Sequence, residues 1–431
     1  ILNDRSENEK GNSRITSLLQ KLHPEYKISN HNYYSEFLQS KKEEILEVIH
    51  NEISKIDFTE ISLLGISAKY NQWIPGMIIA EEIKKIAPEV KIVVGGFGNK
   101  DVAQEAMNNC SYFDFANWGE GEYPLLELSK QMNSETPDFK IVPRIIYKEN
   151  DGLLQSSTSI SNYLDFNNYI FPDYDDYFNN YPYPNQTDQI SIPINTIRSC
   201  HWKKCNFCDF NHGYKLRSRS PECIVNEIEH ITNKYGITTF SFVDSDTFGS
   251  LTHFEKLLDL IIALRYKNEE DYSMWAEIIP NPLFNDKLME KMAIAGFKNI
   301  FIGYDGLSDS LLSKMNKSNS FSDNIFFVKH SLKNGITPIV NVIKHVPEET
   351  EEDVQECINN LHYLRFFYNN SIVAFSHIYV SLVLSSMTKY YSSMSSDERK
   401  NYNNDNLTDL MPNYFSNSEN RFHLFRYEKN V

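Results

Sequence analysis

Three cysteines fall within nine residues of this chain, in the run Cys200-His201-Trp202-Lys203-Lys204-Cys205-Asn206-Phe207-Cys208. The other three, Cys110, Cys223 and Cys357, are scattered, as expected of small residues buried in a core. A disulfide framework would be denser and spread through a small secreted chain. A knot of thiolates points to metal, either zinc or an iron–sulfur cluster. A structural zinc site wants four protein ligands, and no fourth Cys or His stands at a convincing spacing; only His201 and His212 lie near enough to complete one. Three thiolates would leave one iron of a four-iron cubane open to a further ligand.

The alternation of apolar strands and helical periods sets the fold class as α/β. Ile15 to Leu22 and Lys41 to Ile56 read as helices, and Glu60 to Ser67 as a strand. Met77, Ile78, Ile79, Ile83 and Ile86 recur at helical spacing before a strand over Val90 to Val94. Phe113 to Trp118 reads as a third strand, followed by a short helix through Leu128. This order predicts a doubly wound parallel sheet over residues 1–148, with ligands at the strand carboxyl ends. Residues 149–190 lack a steady period; Asp165 to Gln189 is rich in Tyr, Asn, Asp and Pro and reads as a linker or wrap.

A second alternating region spans 191–384. Ile192 to Ile197 is a strand that runs into the cysteines. Ser220 is a good N-cap with Pro221 behind it, and Gly236 stops that helix. Strands then follow at Ile237 to Val243, Tyr272 to Ile278, Asn299 to Ile302, Ile336 to Ile343 and Ile372 to Leu384, each reached through a helix. Six βα units make an open three-quarter barrel, with its active site at the strand carboxyl ends. Residues 385–431 are polar, rich in Ser and Asn, and of unclear fold.

A chain of 431 residues suits two domains, and 41% hydrophobic residues can fill their cores. A formal net charge of -16 argues against a nucleic-acid partner, which would call for a basic face. No apolar run approaches the ~20 residues of a membrane span. Ile1 to Arg14 carry charges of both signs and no signal-peptide core, so the expected location is cytoplasmic.

The cysteine loop followed by βα units resembles the radical S-adenosylmethionine (SAM) superfamily, with one residue more in the first gap than its commonest spacing, CxxxCxxC. The resemblance implies a [4Fe-4S] cluster on Cys200, Cys205 and Cys208, whose open iron chelates SAM. It further implies SAM contacts from Phe207, from Asp244-Ser245-Asp246 and from Glu277. Asp305, in Gly303-Tyr304-Asp305-Gly306-Leu307-Ser308, and Asn341 match the superfamily's later strand-end motifs. A carboxylate inside a barrel such as Glu277 invites a ligand role, because an unpaired buried charge is costly. The small residues Ser67, Gly95, Gly96, Gly98 and Gly119, at three successive strand ends, resemble the cobalamin-binding domain that precedes many such barrels. The Asp-x-His-x-x-Gly motif is absent, so no His ligand to cobalt is expected. Pro172-Asp173-Tyr174-Asp175-Asp176-Tyr177 and the Cys-His-Trp of the loop resemble enzymes that modify ribosomally made peptides.

The expected activity is reductive cleavage of SAM to a 5'-deoxyadenosyl radical, followed by C-methylation of a precursor peptide with cobalamin. A flavodoxin or ferredoxin would supply the electron. The alternative is a cobalamin-free hydrogen-abstraction enzyme such as a peptide epimerase, in which Cys223 or Cys357 is the candidate thiol donor. A non-catalytic metal-binding module is the remote alternative.

Overall fold

A computed structural model describes residues 31–69, 72–149, 152–157, 163–168, 170–181, 190–205, 208, 214–343, 349–368 and 374–378. The chain divides into two compact units at residues 162 and 163, within the stretch read as a linker.

The first unit opens with α1 (His31–Ser54) and continues through β1 (Leu63–Ser67), α2 (Trp73–Ile86), β2 (Lys91–Phe97), α3 (Lys100–Asn109), β3 (Phe115–Trp118) and α4 (Glu122–Met132). β4 (Ile145–Lys148) and β5 (Leu154–Ser156) complete one sheet, in the order β1-β2-β3-β4-β5. β2 shows why this is a buried strand. Ile92 and Val94 pack with Ala80, Ile83, Ala103 and Met107 on one face, while Val93 packs with Phe115, Leu128 and Tyr147 on the other. A strand covered on both faces reads as a continuous apolar run. β1 to β3 are parallel, as expected, and β4 and β5 extend the sheet antiparallel on one side. β5 escapes a pattern reading because it is three half-buried residues, Leu-Gln-Ser, in the stretch taken as linker.

The second unit runs from α5 (Asp175–Asn180) through β6 (Ile192–Ile194), β7 (Ile197–Arg198), β8 (Arg217–Ser218), α6 (Pro221–Tyr235), β9 (Thr239–Phe242), α7 (Leu251–Asn268) and β10 (Ser273–Ile278). It continues through α8 (Asp286–Ala295), β11 (Phe297–Asp305), α9 (Asp309–Lys314), α10 (Phe321–Lys333), β12 (Thr337–Ile343), α11 (Glu351–Tyr368) and β13 (Ala374–Ile378). Six strands form one parallel sheet in the order β13-β12-β11-β10-β9-β6. Chain order and sheet order agree, as a (β/α) progression requires. Burial alternates strictly along β10: Met274, Ala276 and Ile278 are buried in the core, whereas Ser273, Trp275 and Glu277 are only half-buried. Alternating faces of a strand separate the two sets.

Helix α6 forms where its signals stand. Ser220 Oγ accepts from the Cys223 amide at 3.3 Å, Pro221 opens the helix, and Gly236 closes it at φ 69°. The single strand expected over Ile192 to Ile197 is instead broken. β6 stays in the main sheet, while β7 turns away to pair antiparallel with β8. No helix among the described residues is long and apolar enough to cross a membrane. The helix expected over Ile15 to Leu22 and the polar segment 385–431 lie outside the described residues.

Candidate active site at the strand ends

The break after β6 is made by a carboxylate. Asp244, just past β9, is 2% exposed and accepts from the Asn195 amide group at 3.0 Å, from the Thr196 and Ile197 backbone N–H groups at 2.7 and 3.0 Å, and from the Thr196 hydroxyl. These bonds bend the chain between β6 and β7 and fix the point from which the cysteine loop departs. Burial pushes the Asp244 carboxyl up to about 6, against the pull of those donors.

Asp246, also 2% exposed, reaches the loop itself. One oxygen bonds His201 Nδ1 at 2.7 Å and the other accepts from the Ile279 backbone N–H at 3.1 Å. The hydrogen bond to Asp246 raises the His201 imidazole above its usual value, against its burial. Ser245, between the two acids, is exposed. Thr247 donates its backbone N–H to the Glu277 carbonyl at 2.9 Å, so the β9 and β10 ends are joined.

The three cysteines share this loop. Cys200 is buried, and Cys205 and Cys208 are half-buried. The Cys208 amide bonds the Cys205 carbonyl at 3.3 Å, and the Trp202 amide points at Cys200 Sγ at 3.4 Å. Burial pushes the Cys205 thiol up to about 12, with Cys208, Asp305 and Cys200 adding to the rise and the Lys317 charge opposing it. Burial likewise raises Cys200. Among the described residues no three ligand side chains are drawn close enough to grip an ion as placed. The donor set nonetheless fits an iron–sulfur cluster, because soft thiols within electrostatic reach of one another are what such clusters use. A positive charge beside them favours their ionised form.

That charge, Lys317, was not singled out from the sequence. Its ammonium is 4% exposed and ion-paired with Asp305, the last residue of β11. Asp305 and the two cysteines hold the Lys317 charge in place against the cost of burial. A lone lysine in the polar run Lys-Ser-Asn-Ser carries no periodic signal, so only the fold could reveal it. Glu277 lies on the same half-buried face of β10, with no hydrogen bond to its carboxylate among the described residues. Burial, with Asp244 and Asp305 adding to it, pushes Glu277 up to about 7.

Other expected positions are placed as follows. Asn341 stands on β12, opposite Ser376 of β13; Phe207 lies outside the described residues. Cys223 is on α6, its sulfur 3.3 Å from an Arg219 nitrogen and 3.7 Å from the Asn167 carbonyl. Cys357 is on α11 in the core, beside Ser308, and burial pushes it up to about 12. Both thiols sit on helices outside the sheet. The Pro172 to Tyr177 motif is packed on the end of α6: Tyr235 Oη donates to Asp175 at 2.8 Å and accepts from the Tyr174 amide at 2.9 Å.

In the first unit, Ser67 is exposed at the end of β1. A side chain added at Gly95 would meet nothing within 4 Å, so a ligand could lie against that backbone. Gly96 differs: at φ 107°, a Cβ would stand 2.0 Å from the Ala68 carbonyl oxygen, so glycine is required by packing. Gly98 is half-buried in the turn beyond β2, and Gly119, at φ 73°, donates to the Phe97 carbonyl at 2.7 Å.

Residues 194–361 match the model of the radical SAM superfamily. That stretch of the chain is thus similar to the radical SAM domain, and the fold resembles that of solved cobalamin-dependent radical SAM enzymes. The radical SAM methyltransferase TsrM from Kitasatospora setae, solved with cobalamin and a [4Fe-4S] cluster, is 19% identical with a TM-score of 0.60, covering 79% of this chain and 68% of its own. The cobalamin-dependent SAM radical enzyme OxsB gives a TM-score of 0.62 at 16% identity, over 89% of this chain and 55% of its own. The anaerobic magnesium-protoporphyrin IX monomethyl ester cyclase of Cereibacter sphaeroides is 23% identical over 65% of this chain and 47% of its own length. The tryptophan 2-C-methyltransferase of Streptomyces laurentii is 27% identical over 39% of this chain and 30% of its own. The chain thus spans less than half of each of these two curated relatives.

Proposed function

We propose that this enzyme holds a [4Fe-4S] cluster on Cys200, Cys205 and Cys208, cleaves SAM reductively, and methylates carbon in a ribosomally made peptide with cobalamin. The observation that carries the reading is the cysteine loop itself, set by Asp244 at the strand ends of a six-stranded βα sheet. When bound, the reduced cluster supplies the electron that splits SAM to methionine and a 5'-deoxyadenosyl radical, and cobalamin supplies the methyl group. The protein's own residues orient and shield. Asp246 holds His201 and so fixes the first gap of the loop. Glu277, anionic above about pH 7, suits the SAM amino group. Ser245, Asp305, Asn341 and Phe207 are further candidate SAM contacts. Ser67, Gly95, Gly98 and Gly119 line the strand ends offered to cobalamin, and residues 1–148 form that cofactor's domain. The reductant is an external flavodoxin or ferredoxin. The test is co-expression with a candidate precursor peptide, read by mass spectrometry. A mass gain of one methyl group supports the reading. A mass unchanged in ordinary water but raised by a single deuterium in heavy water supports the peptide epimerase instead.

A further inference from the structure

The turn after α9 is tied to the cysteine loop from one residue. Asn316, in the left-handed region at φ 55°, accepts from Trp202 Nε1 at 2.6 Å through its backbone carbonyl. Its side-chain amide donates to the Lys204 carbonyl at 2.8 Å. Both partners lie in the first gap of the cysteine run, between Cys200 and Cys205. The next residue is Lys317. Its ammonium passes over Gly303, where a Cβ would come within 3.3 Å of Nζ, and pairs with Asp305. Asn316 thus holds the cysteine loop, and the residue that follows it carries a buried, ion-paired ammonium.

We propose that Asn316 and Lys317 form a latch that docks the cysteine loop and sets the reduction potential of its cluster, with Lys317 as a positioning residue. The inference rests on the cluster assignment made above. A buried positive charge stabilises the more negative, reduced state and raises the potential; with few screening solvent molecules the effect is strong. Asp305 orients the ammonium and tempers its charge.

The experiment is a redox titration of the reconstituted full chain, followed by electron paramagnetic resonance, after iron and sulfide have been measured. Wild type without four iron and four sulfide per chain overturns the cluster reading before the latch is tested. With the cluster present, Lys317→Met lowers the reduced-to-oxidised ratio at the wild-type midpoint about tenfold, which is about 59 mV for a one-electron couple. Lys317→Arg restores the wild-type midpoint. Asp305→Asn, which leaves the positive charge unopposed, shifts the midpoint the other way. Opposite signs from the two partners are not what a purely structural pair gives. An unchanged midpoint in Lys317→Met overturns the proposal. If that variant fails to load its cluster, Asp305→Asn decides, and a midpoint that is unchanged or lowered overturns it.

Discussion

Two carboxylates two residues apart, Asp244 and Asp246, do different work. Asp244 spends its oxygens on the β6–β7 bend, and removing it strands two buried backbone N–H groups. Asp244→Ala should cost about 3 kcal/mol of stability and loosen the cysteine loop. Thermal unfolding and iron content check this together; a variant with wild-type values for both would deny Asp244 its structural role. Glu277 lies near these acids but accepts no hydrogen bond among the described residues, and its carboxyl is raised to about 7. Below that value it is mostly neutral and cannot attract an ammonium group. SAM affinity should therefore climb as pH rises through about 7, and Glu277→Gln should flatten the climb. The stability consequence has the opposite sense. The folded state favours the proton, so stability is lost as pH rises through about 7, and Glu277→Gln should raise Tm in mild alkali but not in acid. Isothermal titration of SAM across that range is decisive, since a flat wild-type profile removes Glu277 from the amino group.

Helix α11 shows how an element is docked by its first turn. Asp353 accepts from the Thr350 amide at 2.7 Å and its hydroxyl at 3.0 Å, then crosses to Ser310 and Lys314 of α9. Burial opposes the charge, but Lys314, Ser310 and Thr350 hold the Asp353 carboxyl well below the usual range. The stability it gives is present above the ordinary aspartate pKa and lost as pH falls toward the depressed one. Asp353→Asn should lower stability by about 2 kcal/mol at neutral pH, with the gap closing below about pH 4. Parallel denaturant titrations at neutral and acid pH check it; a gap that persists in acid contradicts the charge-based account. The helices and parallel strands around α11 were legible because apolar period, caps and burial agree there, as Ser220, Pro221 and Gly236 show for α6. The bend between β6 and β7 was not legible, since its cause is a carboxylate 47 or more residues away. The cysteine loop announced itself by spacing, whereas Lys317 and Asn316 join it only through tertiary contacts.

At the scale of the whole molecule, a first unit that serves a cofactor and one that only carries a sheet edge make different demands on the unit's glycines. Its glycines separate the two possibilities. Gly96 and Gly119 are required by backbone approach and positive φ, so they say nothing about a ligand. Gly95 has an ordinary strand conformation and open space above it, so the fold itself does not demand glycine there. Phe97, bulky and near the same edge, is 2% exposed in the core and so leaves that space clear. If cobalamin lies against this edge, Gly95→Leu should leave Tm within about 1 °C of wild type, as an uncrowded surface substitution does. It should nevertheless weaken hydroxocobalamin retention at least tenfold. Gly96→Ala should instead unfold the unit, because its Cβ cannot coexist with the Ala68 carbonyl. Gel filtration with absorption spectra of the intact reconstituted chain reads both outcomes. Retention of cobalamin by Gly95→Leu at the wild-type level would remove that strand end from the binding surface. A wild-type chain that elutes with the cluster alone would end the methylation reading and leave the cobalamin-free hydrogen-abstraction enzyme in its place.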